Sequence, residues 1–306
     1  MKSSLVFLPH HRPVIASFLR LGAGALAQRL RPAPTRTWIL PGPAVEQEVE
    51  PLPESLLRAY ARHVGDTTTD VSQEVPFHLF PQWAFGATGT LLASMPYPLL
   101  RVMNAGCRVE RLAAIPAGRP LVVRTRLEAV DEDDRRALVT LRSWTSVGDT
   151  PCLDASFTLF LPLAPRGGSP TGAAERKATS SGGDAPYVVP SDAEEVDTWQ
   201  LSDRDGLRFA LLTGDFNPIH WIPAYAKVSG FPSTILHGFG AMCRAMATLE
   251  GAARQAGRPA PVGYEARFTK PLVLPARVHL FRSMDAYFVG TATGERANLV
   301  GRVLSR

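Results

Sequence analysis

The chain has 306 residues, of which 45% are hydrophobic and 20% are charged, and its formal net charge is +5 at pH 7. This length predicts about two domains, each large enough to bury its own core, and the composition excludes a disordered chain. Every apolar run falls short of the roughly 18 to 20 residues that a membrane-spanning helix needs, so we expect no membrane span.

Three cysteines, Cys107, Cys152 and Cys243, are odd in number and lie far apart. This usage excludes a disulfide framework and a CxxC metal site, and it fits a reducing, cytoplasmic setting. The histidines, cysteines and aspartates show no metal-ligand spacing. The sequence therefore predicts neither a metal nor another cofactor.

Arginine dominates the positive charge, because only four of the 33 cationic residues are lysine. The planar guanidinium group binds phosphate and carboxylate through two hydrogen bonds. The arginines form no basic run with interleaved aromatic residues, which argues against a nucleic-acid partner. They favour an acidic small ligand or an acidic partner protein.

The first predicted element is an amphipathic helix within an N-terminal extension, residues 1–44. Over 14–31, apolar residues recur near helical spacing while three arginines lie off the apolar stripe. The short apolar stretch before it is interrupted by Pro9 and Pro13, so it makes a poor signal peptide. We expect the helix to pack on the body, with an export signal or a membrane-surface helix as alternatives.

A segment rich in Gly, Ser, Pro and Ala, residues 166–186, predicts a flexible linker. It separates two stretches of ordinary domain size, 45–165 and 187–306.

Two pairs of motifs indicate that these halves arose by duplication. Residues 60–66 align with 209–215 at an offset of 149 residues, with an aromatic residue, Ala, Gly and Asp coinciding. Residues 108–111 align with 267–270 at an offset of 159, each followed by a proline. The motifs keep the same order on either side of the linker.

Each half has the same predicted order of elements, namely a loop, one helix rich in small residues, and consecutive antiparallel strands. In the first half the helix spans 83–94 and the strands span 121–130, 137–145 and 154–161, with 131–134 as a hairpin turn. In the second half the helix spans 237–256 and the strands span 264–269, 277–283, 286–293 and 297–304, with a tight reversal at 284–285. This is an α+β pattern without the strand–helix alternation of a nucleotide-binding fold.

The residues with the clearest chemistry lie in one loop, Thr213-Gly214-Asp215-Phe216-Asn217-Pro218-Ile219-His220. Pro218 stiffens this loop and keeps the residue before it out of the helical region. An acid and an imidazole held close together can bind a water and move a proton if their surroundings separate their pKa values. Such a pair can equally serve to cap a turn.

The longer string from Phe209 to His220, continuing through Pro223 and Tyr225-Ala226, resembles the signature of the MaoC-like dehydratases and (R)-specific enoyl-thioester hydratases. Leu236-His237-Gly238 also resembles that family's helix-start motif. The detailed similarity covers roughly 205–283, and the duplicated layout is similar to the family's double-hotdog members. The resemblance implies two tandem hotdogs, each an antiparallel sheet wrapped around a long central helix.

Carried over onto this sequence, the resemblance implies that Asp215 and His220 hold and activate a water. The water adds reversibly to a trans-2-enoyl thioester and gives an (R)-3-hydroxyacyl thioester, with either residue protonating C2. The backbone N–H of Gly238 is implied as the oxyanion hole, which is physically sound at the positive end of a helix. Asn217 is implied to orient the loop or the substrate, with Gly214 and Pro218 supporting the loop.

The first half departs from this motif, because Gly65-Asp66 is followed by three threonines and lacks Asn, Pro and His in register. Asp66 thus has no imidazole partner by spacing, and we expect this hotdog to be inactive and to form the other wall of a tunnel for long acyl chains. The remaining histidines, namely His10, His11, His63, His78 and His279, show no partner spacing. His237 is expected to be structural.

Two alternatives to an enoyl hydratase and 3-hydroxyacyl dehydratase of fatty-acid or polyhydroxyalkanoate metabolism remain. A hotdog thioesterase usually carries its carboxylate on the central helix, where the predicted helix offers only Glu250. A non-catalytic acyl-thioester-binding protein is the second.

The thioester substrate is carried by coenzyme A or by acyl carrier protein, which would then be a partner. Arg101, Arg108 and Arg111 are expected to be solvated, with a coenzyme A phosphate or a carrier protein as their alternative partners. A homodimer of the double unit stays open.

Overall fold

The computed structural model describes residues 5–12, 14–16, 38–97, 102–163 and 187–305. Within the described residues, the first half comprises β1 (Val45–Val49), α1 (Glu54–Val64), α2 (Pro81–Ala93), β2 (Met103–Arg111), β3 (Leu121–Glu132), β4 (Arg136–Val147) and β5 (Thr150–Pro162). The second half comprises β6 (Glu194–Leu201), α3 (Asp205–Thr213), α4 (Pro223–Val228), α5 (Gly238–Gln255), β7 (Gly263–Phe268), β8 (Ala276–Ser283), β9 (Ala286–Gly290) and β10 (Leu299–Leu304). Apart from the short helix α4, the two halves have the same order of elements.

The described strands form one antiparallel sheet in the order β1-β3-β4-β5-β2-β7-β10-β9-β8-β6. Read outward from the centre, the two sides are equivalent, because β7, β10, β9, β8 and β6 repeat the order of β2, β5, β4, β3 and β1. Buried and partly exposed residues alternate along β4 and along most of β5. This is the period of a sheet with one face on the core, and the predicted α+β double hotdog is confirmed.

A pseudo-twofold axis crosses the sheet between β2 and β7, where the two hotdogs join. Cys107 lies opposite Ala266 in this antiparallel pair, and the two residues are also equivalent under the 159-residue offset of the sequence motifs. A residue can face its own equivalent only on the symmetry axis. Gly65 and Gly214, which are equivalent under the 149-residue offset, each end a helix with a φ of +81°. These features support the predicted duplication.

The two central helices, α2 and α5, lie against the sheet and bring both hotdogs into one core. Phe80, directly before α2, lies 5.7 Å from Phe157 of β5 and 5.8 Å from Phe239 of α5, measured between ring centroids. Such aromatic pairs contribute roughly 0.5 to 1.5 kcal/mol beyond area burial. Met242 and Met246 are fully buried on α5.

The structure confirms the two predicted central helices and all seven predicted strands, with shifts of a few residues at most ends. The hairpin turn predicted at 131–134 is wrong in register, because β3 continues through Glu132. The chain reverses instead where the Asp133 carboxylate accepts hydrogen bonds from the N–H groups of Arg135 and Arg136. The reversal at 284–285 is confirmed, since Ser283 pairs with Ala286. The predictions missed β1, β2, β6, α1, α3 and α4.

The N-terminal extension contacts the second hotdog through its first residues. Leu5–His11 form a 3₁₀ helix, and Phe7, His11 and Val14 are buried. The predicted helix 14–31 beyond residue 16, the predicted linker 166–186 and Arg101 lie outside the described residues. In the part of the chain that the structure describes, no helix is long and apolar enough to cross a membrane.

Candidate active site

The loop between α3 and α4 begins at Gly214, whose left-handed conformation favours glycine. A side chain here would also meet the N-terminal segment, because its Cβ would lie 3.0 Å from Cβ of His11 and 3.2 Å from Cβ of Val14. His11 is fully buried, and its Nε2–H donates to the carbonyl of Leu211 at 3.0 Å. The N-terminal segment therefore holds the start of the loop from behind.

Asn217 and Pro218 shape the middle of the loop. The side-chain oxygen of Asn217 accepts a hydrogen bond from the N–H of Ile219 at 3.3 Å and caps the 3₁₀ turn Pro218–His220. Proline is favoured at the first position of such a turn, where no N–H is needed. The N–H of Asn217 donates to the Asp215 carboxylate at 3.3 Å. These bonds fix the turn that carries His220.

His220 is positioned by its own ring and by its main chain. Its Nδ1–H donates to the carbonyl of Ile235 at 2.9 Å, and Ile235 is itself bridged to Val273. The main chain of His220 packs on Gly206 of α3, where a Cβ would lie 3.0 Å from the His220 carbonyl carbon. Because a carbonyl can only accept, Nδ1 carries the proton, and Nε2 of the neutral ring keeps a lone pair.

His237 holds the other side of the loop. Its Nε2–H donates to the Asp215 carbonyl at 2.9 Å, and its ring stacks on that of His220 with centroids 3.5 Å apart. Nδ1 of His237 is buried without a hydrogen-bond partner among the described residues. His237 therefore supports the loop, and it also contributes to the electrostatics of the site.

Burial separates the pKa values of these groups. It raises the pKa of Asp215, whose side chain keeps 15% of its surface exposed, although the nearby His220 lowers it in part. Burial lowers the pKa of His220 to about 3, and the neighbouring His237 lowers it further. Burial also lowers the pKa of His237 to about 3. Both imidazoles are therefore neutral at pH 7, and the carboxylate is a stronger base than an ordinary aspartate.

Gly238 is the first residue of α5 and directly follows His237. The N–H of a first helical residue has no partner within its own helix, and none of the described residues accepts from it. A Cβ at this position would lie 2.8 Å from the Phe268 ring. A glycine here thus leaves an unpaired donor at the positive end of a helix, within a closely packed wall.

Ligand atoms of Asp215, His220 and His237 lie within 4.8 Å of one another, the separation at which three side chains can share a metal ion. The two imidazole planes are only 24° from parallel at a centroid distance of 3.5 Å. Their in-plane lone pairs therefore do not converge on one point. His237 Nε2 also already donates to the Asp215 carbonyl, so the arrangement does not fit a resident metal.

The equivalent place in the first hotdog corrects one prediction. Asp66 does have an imidazole partner, because Nε2 of His78 lies 3.2 Å from its carboxylate and both side chains are fully buried. The hydroxyl of Tyr60 lies 3.0 Å from the other ring nitrogen of His78. The spacing of the catalytic motif does not predict the pair, because His78 aligns under the 159-residue offset with His237 and not with His220.

The structure thus brings Asp215, Asn217, His220 and Gly238 to one place, with Gly214 and Pro218 shaping the loop between them. Sequence reasoning missed Gly206, whose Cα lies against the His220 main chain, and His11, which lies 200 residues from its partner Leu211. The one local signal for Gly206 was the occurrence of a glycine near the start of the helix that precedes the motif. His11 carries no local signal.

Comparisons with known proteins agree with this fold. Residues 189–284 match the MaoC like domain. The 3-hydroxyacyl-thioester dehydratase X of Mycobacterium tuberculosis is 29% identical over 272 residues, which cover 87% of this chain and 88% of the relative.

Solved structures show the same architecture along most of the chain. The crystal structure of HtdX of Mycobacterium tuberculosis has a TM-score of 0.66 at 23% identity and covers 86% of this chain and 100% of that chain. A MaoC-like dehydratase from Phytophthora capsici has a TM-score of 0.63 at 17% identity, with 88% and 96% covered. A further Mycobacterium tuberculosis protein, described as a double hotdog, has a TM-score of 0.56 at 17% identity, with 87% and 96% covered. The second half of the chain therefore carries a MaoC-like domain, within a chain that folds as a double hotdog.

Proposed function

We propose that this protein is a hydro-lyase that adds water reversibly to trans-2-enoyl thioesters and forms (R)-3-hydroxyacyl thioesters in fatty-acid or polyhydroxyalkanoate metabolism. One observation carries the proposal. The Asp215 carboxylate and the unprotonated nitrogen of His220 lie on one loop. His237 donates a hydrogen bond to this loop and directly precedes Gly238, whose N–H is unpaired among the described residues. The MaoC-like domain covers this loop. The name of the dehydratase relative supports the same reaction class.

Asp215 and His220 are spaced to hold one water. Two acceptors that share a water at about 2.8 Å each lie roughly 4.6 Å apart at a tetrahedral angle. Ligand atoms of Asp215, His220 and His237 lie within 4.8 Å of one another. A water between Asp215 and His220 donates one hydrogen to each, which aims its oxygen lone pairs at C3 of the substrate.

We assign the proton transfer to Asp215 and the orientation of the water to His220. A histidine with a pKa of about 3 stays neutral and is a weak base, whereas the raised pKa of Asp215 strengthens the base. Asp215 takes one proton from the water as the oxygen bonds to C3, and the C2–C3 π electrons move onto the thioester carbonyl. Asp215 then returns that proton to C2, and the reverse sequence releases water.

Gly238 stabilises the enolate oxygen that forms between these steps. Its N–H lies at the first turn of α5, where the helix dipole favours negative charge. A donor of this kind is worth about 10²- to 10³-fold in rate. It also polarises the carbonyl so that C3 accepts the water.

The position of Glu250 argues against a thioesterase. Glu250 lies twelve residues beyond Gly238 on α5, about 18 Å along the helix axis. It is 5% exposed and lies 3.5 Å from the guanidinium of Arg111. Its carboxylate is therefore remote from the site that Asp215 and His220 form.

We further propose that 187–306 carries the chemistry and that 45–165 forms the other wall of a tunnel for long acyl chains. The extension 1–44 buttresses the catalytic loop through His11, and 166–186 links the two hotdogs. The three described cysteines are buried and free, which suits a reducing cytoplasm. The thiol carrier is coenzyme A or acyl carrier protein.

The test is hydration of 2-enoyl-coenzyme A and of enoyl-acyl carrier protein from C4 to C12, followed by loss of the enoyl absorbance and by chiral analysis. We expect an (R)-3-hydroxyacyl product that is lost in Asp215→Asn and retained in the matched control Asp203→Asn, which changes an exposed aspartate of the same hotdog. Release of free thiol would establish hydrolysis instead. No turnover on either carrier would refute an enzymatic role.

A further inference from the structure

A cavity lies toward the end of α5 that is opposite to the candidate active site. It has a volume of about 670 Å³, and its wall includes Arg111, Arg258, Arg282, Glu74, Leu249 and Val262. We call it the arginine cavity. Leu249 lies eleven residues beyond Gly238 on α5, about 16 Å along the helix, so the arginine cavity is separate from the Asp215 site.

The arginine cavity is lined by both hotdogs, and its Glu74 edge corresponds in the first hotdog to the segment that supports His220 in the second. Glu74, in the segment before α2, is bridged to Pro116, just as Ile235, in the segment before α5, is bridged to Val273. Ile235 is the residue that fixes the catalytic His220. The duplication therefore placed an edge of the arginine cavity and the candidate active site at places related by the pseudo-twofold axis.

The equivalent carboxylates at these two places differ in their exposure. In the first hotdog the Asp66 and His78 side chains are fully buried against each other, so a ligand in the arginine cavity cannot reach them. In the second hotdog the equivalent carboxylate, Asp215, keeps 15% of its side chain exposed. The arginine cavity is thus a pocket whose reactive pair is closed off.

The guanidinium groups of the arginine cavity are largely uncompensated. Among the described residues, Arg258 and Arg282 have no carboxylate within ion-pairing distance. Arg111 lies 3.5 Å from Glu250 and keeps 25% of its side chain exposed. Glu74 is the one acidic residue in the wall. Three arginines around one cavity of this size attract a compact polyanion, because each guanidinium can form two hydrogen bonds with a phosphate.

We propose that the arginine cavity is a non-catalytic binding site for a small phosphate-bearing ligand. The phosphate oxygens bind Arg111, Arg258 and Arg282, and the apolar part of the ligand packs on Leu249 and Val262. The ligand is either a free phosphate compound or the phosphorylated portion of a thiol carrier. This site does not depend on the proposed hydration reaction.

The test measures binding by titration calorimetry with two probes, inorganic pyrophosphate and coenzyme A. The variants are Arg258→Ala with Arg282→Ala, and the matched control Arg302→Ala, which removes an exposed arginine paired with Asp285 outside the cavity. We expect one pyrophosphate per wild-type chain, and affinity at least tenfold weaker for each cavity arginine removed. The control should bind as the wild type does.

Coenzyme A distinguishes the two sources of the ligand. Two bound per wild-type chain and one per double variant identify a carrier, whereas binding of pyrophosphate alone identifies a free phosphate compound. Unchanged binding in the double variant, or no pyrophosphate binding, overturns the proposal. A raised KM for enoyl-thioester hydration in the double variant also overturns it, because the arginines would then serve the Asp215 site. If the protein has no hydratase activity but still binds pyrophosphate through these arginines, the proposed function is refuted and the phosphate site is retained.

Discussion

Gly206→Ala is expected to damage catalysis without unfolding the protein. Gly206 lies in the first turn of α3, where its missing side chain leaves room for the main chain of His220. A Cβ would lie 3.0 Å from the His220 carbonyl carbon and closer still to the carbonyl oxygen. Ordinary carbon contacts are about 3.5 to 4.0 Å. The oxygen contact is the closer of the two, so the two segments must separate by about 1 Å or more.

That shift acts directly on the imidazole. The bond from His220 Nδ1 to the Ile235 carbonyl is 2.9 Å long and fixes which ring nitrogen faces the water. Moving His220 away from α3 changes both this bond and the position of Nε2 relative to Asp215. A misplacement of about 1 Å in a catalytic group can cost about 10²-fold in rate. We expect kcat to fall about a hundredfold while KM changes little, because the acyl chain and its carrier bind elsewhere.

The control is Gly251→Ala on α5, where an added Cβ meets only Thr67 Oγ1 at 3.8 Å. Alanine in a helix is favoured over glycine by up to about 1 kcal/mol. Gly251→Ala should therefore raise the thermal midpoint and leave the rate unchanged. Enoyl-thioester hydration kinetics with far-ultraviolet circular dichroism separate the two effects. A Gly206→Ala protein that is folded and turns over at the wild-type rate would refute the positioning role of this contact.

Four further results are expected. Asp215→Asn abolishes hydration yet raises the melting temperature at pH 7, because a carboxylate whose folded pKa is raised costs stability at every pH above its unfolded value. In the wild type, kcat/KM falls on the acid side at a pH above the ordinary aspartate pKa of 3.8, because Asp215 must be ionised. His220, with a pKa of about 3, stays neutral over this range. The acid side of the profile should therefore be unchanged in His220→Asn. Asp66→Asn lowers the free energy of unfolding, measured in urea at pH 7, by about 3 kcal/mol or more. The difference from the wild type shrinks as the pH falls below 3.8, because Asp66, whose pKa is lowered, stabilises the fold only while its carboxylate is ionised. His11→Ala lowers kcat roughly tenfold by releasing the Gly214 turn, whereas the exposed neighbour in His10→Ala has no effect on hydration rates.

The sequence predicts the parts of the fold whose pattern is local. The strands β3, β4 and β5 alternate buried and exposed residues, and their period is visible without any tertiary information. The strand β1 contains three acidic or amide residues and lies at the edge of the sheet, so its sequence carries little apolar signal. The helix α1 is absent from the predicted elements, although it has a clear apolar stripe.

The candidate site divides in the same way. Asp215, Asn217 and His220 lie within six residues, so one motif contains them, and the cap that Asn217 forms is a local interaction. The contacts of Gly206 with His220 and of His11 with Leu211 depend on how distant segments meet. His78 lies twelve residues after Asp66, whereas His220 lies five residues after Asp215, so alignment of the two halves places no histidine of the first half at the position of His220.

The two equivalent aspartates differ in the hydrogen bonds that act against the effect of burial on their pKa. Burial acts on Asp66 to raise its pKa, but hydrogen bonds from His78, Thr69 and Thr68 outweigh it, and the pKa lies well below its usual range. At Asp215 burial is also the largest influence, and the structure supplies only His220 and the N–H of Asn217 against it, so the pKa is raised. A carboxylate whose lone pairs are all satisfied holds a fold together and has no capacity to accept a proton from water. In the proposed mechanism, the same position therefore stabilises the protein in the first half and takes up a proton in the second, because of the hydrogen bonds that the second loop leaves unmade.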